Sequence, residues 1–145
     1  MSLQRRALAA LCGASLFCLA APAGAVSIEP GQWDMTMTLQ MPMLPQPQVR
    51  TDTQCITPEQ SELNPDTFDD QDQGECETSG FSEEGNTVRW QVTCPGPGGT
   101  TTGDMTFTSH GDSLEGEGKM TMEIQGQTME MNMSWTGERT GDCVE

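Results

Sequence analysis

The sequence has no tyrosine, one histidine, three tryptophans and six basic residues in 145. Each scarcity removes a class of function. His110 is the only imidazole and stands beside Gly111 in a turn-like stretch, so general acid–base catalysis has little to draw on. The chain carries no Gly-x-Ser-x-Gly elbow and no phosphate-binding glycine loop. It has no Cys-x-x-Cys pair, which argues against zinc binding and thiol chemistry. Arg5 and Arg6 lie at the extreme N-terminus, so beyond residue 25 only Arg50, Arg89, Lys119 and Arg139 stand against 22 acidic residues. A formal charge of −16 repels nucleic acid and anionic lipid headgroups; it keeps an exported protein soluble and can also attract a cationic partner or a metal ion.

Long apolar runs are also scarce. One runs from Ala7 to Ala21, behind the basic pair and ahead of Ala23-Gly24-Ala25. It is short for a membrane span and fits a secretory signal with cleavage after Ala25. Leu11 before Cys12 and Phe17 before Cys18 do not fit a lipid anchor. The expectation is a signal peptide over residues 1–25 and a single periplasmic domain over 26–145, monomeric and without a membrane span.

Four cysteines remain after the signal: Cys55, Cys76, Cys94 and Cys143. An even number in an exported chain predicts two disulfides. The stretch from Cys76 to Cys94 reads as a hairpin folded about Gly85. That fold sets Cys76 opposite Cys94, Thr78 opposite Val92, Gly80 opposite Trp90 and Ser82 opposite Val88. The predicted pairs are therefore Cys76–Cys94 and, by elimination, Cys55–Cys143.

Apolar residues recur at every second position. Trp33, Met35, Met37, Leu39 and Met41 share one face of a strand, and Asp34, Thr36, Thr38 and Gln40 the other. The same period aligns Met105 with Phe107, then Leu114, Gly116, Gly118, Met120, Met122 and Ile124, then Met129, Met131, Met133 and Trp135. Pro42, Pro45 and Pro47 make a loop, and "PGPGG" at 95–99 breaks the chain again. Thr57, Pro58 and Gln60 form a capping-box signature for a short helix. The fold class is all-β: an antiparallel meander of about seven strands, strongly curved or barrel-like, with one short helix in an insertion.

Methionine fills strand positions where branched residues have higher strand propensity. Being unbranched and flexible, it suits an irregular core or an adaptable apolar pocket. Folding the last hairpin about 125–128 would set Met122 opposite Met131 and Met120 opposite Met133, four thioethers of the kind that select Cu(I). The acidic stretch through Asp69, Asp70 and Asp72 makes a poor calcium loop, since its twelfth position is Gly80.

In order along the chain, Trp33, Cys55-Ile56-Thr57-Pro58, Trp90, Cys94 and Gly141-Asp142-Cys143 together resemble the exported bacterial family catalogued as domain of unknown function 3617. That resemblance implies a small periplasmic protein and brings no catalytic residues. Gly31-Gln32-Trp33 with Arg139 is similar to the calycin barrels, in which an arginine packs on such a tryptophan. The expected function is non-enzymatic binding or envelope maintenance, with no cofactor. The candidate ligand-binding residues are Met37, Met105, Met120, Met122, Met131 and Met133, with Arg139 for an anionic end. A Cu(I) site at the methionines, or a basic protein docking on the acidic stretch at 66–77, are the alternatives.

Overall fold

A computed structural model describes residues 24–68, 76–96, 98–124 and 126–144. The alternating pattern becomes seven strands: β1 (Gly31–Gln40), β2 (Gln48–Ile56), β3 (Glu77–Glu84), β4 (Thr87–Gly96), β5 (Gly99–Ser109), β6 (Ser113–Ile124) and β7 (Gln127–Gly141). They form one antiparallel sheet in the order β2-β1-β7-β6-β5-β4-β3. Every neighbour is a hairpin except β1 and β7, so the chain ends return to the middle of the sheet. The sheet is not closed: β2 and β3 are its edges. The barrel-like expectation is thus met only as far as an open, curved sheet.

The register explains the curvature. Cross-strand partners place Met37, Trp135, Gly116, Phe107 and Val88 in one row on the inner face. The next row is Leu39, Met133, Gly118, Met105 and Trp90. A third is Met131, Met120, Gly103, Val92 and Thr78. Each row carries one buried glycine among large side chains. Phe107 lies where a Cβ on Gly116 would go, and Met120 does the same at Gly103. A Cβ on Gly118 would stand 3.0 Å from the Trp135 ring. Strands can lean together over such positions, because the neighbouring side chain covers the bare backbone.

One end of the inner face is packed dry. Trp33, Val88, Phe107, Leu114 and Trp90 meet Val26, Ile28 and Leu63 there. The last three come from outside the sheet. The N-terminal segment bridges to the insertion at Ser27 and Glu62. Ile28 N donates to Ser61 O at 2.9 Å, and Leu63 N to Val26 O at 2.8 Å. Ser109 Oγ ties this segment to the sheet by donating to Ser27 O at 2.6 Å. The buried Trp33 indole donates to Glu29 O at 2.8 Å, so its only polar atom is satisfied. The segment and insertion thus close the end of the sheet with apolar side chains. Edge strand β2 supplies few: Gln48, Arg50, Asp52 and Gln54 have inner-face parity, opposite Leu39, Met37, Met35 and Trp33.

The insertion is a 3-10 turn at Pro58–Gln60, with Thr57 N donating to Gln60 Oε1 at 3.1 Å. A four-residue helix, Pro65–Phe68, follows it. The Glu59 carboxyl is held below its ordinary range by its own backbone N–H, then by the Thr57 hydroxyl.

Both disulfides are present, Cys55–Cys143 closing 88 residues and Cys76–Cys94 closing 18. The β3–β4 hairpin reaches its pairing by a different route from the one expected. A two-residue turn at Gly85-Asn86 pairs Glu84 with Thr87 and Glu83, rather than Ser82, with Val88. A bulge at Gly80-Phe81 then absorbs one residue, with Gly80 at φ 65°, and restores Thr78 opposite Val92. The last hairpin turns in two residues rather than four, with Gly126 at φ 81°. The register therefore moves by two: Met120 faces Met131, and Met122 faces Met129. Residues 69–75, the core of the acidic stretch and of the calcium-loop reading, lie outside the described residues.

Candidate functional site

Beyond the dry end, the inner face opens. A cavity of about 500 Å³ lies in the curl of the sheet. Its floor is the ring strip Trp90, Phe107 and Trp135, with successive centroids 5.3 Å apart and Trp90 stacked on Phe107 at 15°. Its walls carry Met35, Met37, Met105, Met120 and Met133, all half-buried. The rim toward β2 and the insertion is neutral and polar, from Gln54, Gln60 and Thr67. Thr78 and the Cys76–Cys94 bridge border the β3 side. Among the described residues, none that lines the cavity carries a charge.

This arrangement follows from the sequence. Alternation sends one parity inward on every strand. The glycines in each row leave depth beneath the large side chains, while the open β2–β3 side leaves the methionines half in water. Half-buried thioethers over an aromatic floor form an adaptable apolar surface.

The candidate residues divide. Met37, Met105, Met120 and Met133 line the cavity. Met122 and Met131 share its face but lie nearer the β6–β7 turn and are not among the lining residues. The four-thioether arrangement is corrected by the tighter turn, which exchanges the expected pairs for Met120–Met131 and Met122–Met129.

Arg139 does not reach the cavity. Its Nε donates to Pro30 O at 2.8 Å and lies 4.0 Å from Glu29 Oε2, while Nη2 at the far end of the guanidinium donates to Asp142 Oδ1 at 2.7 Å. It lies over Gly31, where a Cβ would meet Nε at 2.6 Å. It pairs with Trp33 in register, but among the described residues it stacks on no ring; backbone and carboxylate partners hold it as a clasp between the chain ends.

Trp90, Phe107, Trp135, Met35 and Gln54 were not among the candidates, although they line the cavity. Their strand parity carries that signal. Ile28, Leu63 and Thr67 have no such signal, since they lie in loops whose docking depends on tertiary contacts.

Among the described residues, no helix is long and apolar enough to cross a membrane. The family described as protein of unknown function (DUF3617) matches residues 28–143, from the buried Ile28 to the last disulfide cysteine. No curated protein and no solved structure matches the chain.

Proposed function

The chain belongs to the DUF3617 family, and we propose that it is an exported, non-enzymatic binding protein that holds an apolar small molecule in the methionine-lined curl of its sheet. One observation carries this reading: a cavity of about 500 Å³ beside the dry-packed end of the inner face, its lining uncharged among the described residues. That volume is in the range of small-molecule sites, which are mostly apolar with a few placed polar groups.

Export is supported by both ends of the chain. Two disulfides suit an oxidising compartment such as the periplasm. Ala25 is exposed, whereas Val26 is buried and its N–H points at Glu83 Oε1, 3.4 Å away. Cleavage after Ala25 would leave an ammonium group facing that carboxylate.

Native mass spectrometry on protein purified from its own cell envelope tests both parts. The expected protein mass corresponds to a chain starting at Val26 with both disulfides oxidised. A second, heavier species releases a small molecule on mild activation. An apo mass alone, with no added mass after incubation with apolar compounds, refutes the binding role. A chain still carrying residues 1–25 refutes the export route.

A further inference from the structure

We infer that the occupant of this cavity is a lipophilic cation: one positive, weakly hydrated head, such as a quaternary ammonium, on an apolar body. The inference rests on the binding reading above and adds the charge of the ligand. Three features select that charge.

The first is the field. At −16 the molecule attracts small cations and repels small anions. Among the described residues, Arg89, Lys119 and Arg139 are each ion-paired, with Glu84, Glu130 and Asp142, so their charge is locally offset.

The second is the rim. Asp52 pairs in register with the lining residue Met35, so it has the parity of the cavity face. Asp66 lies between the lining residues Pro65 and Thr67. Arg50, opposite Met37 on the same strand as Asp52, shares that parity and opposes them.

The third is the interior. Among the described residues the lining holds neither carboxylate nor ammonium, which suits a weakly hydrated cation better than a small, strongly hydrated one. Aromatic faces attract such a head by their quadrupole, and the half-buried Trp135 is the accessible ring of a floor whose Trp90 and Phe107 are buried. Arg139, the expected partner for an anionic end, is clasped elsewhere and supplies no counter-charge here.

The test uses three ligands with the same chain and different heads, titrated into the disulfide-bonded mature protein: dodecyltrimethylammonium, dodecanol and dodecanoate. Trp90 and Trp135 in the floor report binding through their fluorescence. In low salt the ammonium is expected to bind about tenfold more tightly than the alcohol, with the carboxylate weakest. The advantage of the ammonium should shrink between about 10 mM and 1 M salt, as the screening length falls from ~30 Å to ~3 Å.

A double variant, Asp52→Asn with Asp66→Asn, should lower ammonium affinity about threefold and leave alcohol affinity unchanged, whereas Arg50→Gln should raise ammonium affinity. If dodecanoate binds as tightly as the ammonium, the charge inference is overturned while the apolar binding role stands. If none of the three binds, the binding role itself is overturned.

Discussion

At the residue scale, the inner face is a problem of fitting large side chains onto a strongly bent sheet. Gly116 and Gly118 alternate with Leu114 and Met120 on β6, so Phe107, Trp135 and Met105 can lie across bare backbone. A side chain at Gly118 would press on the Trp135 ring at 3.0 Å and the Met105 sulfur at 3.1 Å. Gly118→Val is therefore expected to destabilise the fold by about 1–3 kcal/mol, since the ring has backbone beneath it and little room to retreat. Urea unfolding of the disulfide-bonded protein measures this, and an unchanged midpoint would contradict the packing described for β6. Glu59 sets a smaller, pH-dependent contribution. Its depressed carboxyl favours the folded state above the ordinary glutamate range, and that contribution is lost as pH falls through the folded value. Thr57→Val should raise the Glu59 titration midpoint toward its ordinary value in an NMR pH titration; no change would mean that the hydroxyl contributes nothing.

At the element scale, strand identity and inward parity were legible because a period of two leaves little freedom: Trp33, Met35 and Met37 face inward together or not at all. Turn length was less legible. Gly85 and Gly126 each mark a turn, but residue type does not fix whether the loop has two, three or four residues, and each added residue moves the register by one. The β3 bulge at Gly80 compensated in the β3–β4 hairpin, so the cysteines still met. Nothing compensated in the last, and the methionine pairs shifted. The closing strap was illegible for another reason: Val26, Ile28 and Leu63 are isolated apolar residues in loops, and their burial depends on segments far apart in sequence. The Cys55–Cys143 bridge ties edge strand β2 to the end of β7 across β1. Replacing both cysteines with serine is expected to cost about 4–5 kcal/mol on the chain-entropy account of a loop this long. Equal unfolding midpoints for the variant and the parent would show that the bridge adds no stability.

At the scale of the whole molecule, the sheet is a curved trough closed at one end by its strap and left open along the β2–β3 side. The outer face carries charge, as at Glu115, Glu117, Lys119 and Glu130, while among the described residues the cavity lining carries none. This segregation makes a surface that repels nucleic acid compatible with an interior that holds an apolar body. The candidate site was half legible: parity placed four of the six proposed methionines on the cavity wall, and the aromatic floor shared that parity. Which end of the face would be filled was not legible, because the strap decides it. The most direct test is the methionine methyl NMR spectrum, recorded with and without an apolar ligand. The account predicts that the methyl signals of Met35, Met37, Met105, Met120 and Met133 shift on binding, while that of Met43, 74% exposed in the β1–β2 loop, stays in place. Signals that stay fixed throughout, or a shift confined to Met43 and the other loop positions, would contradict it.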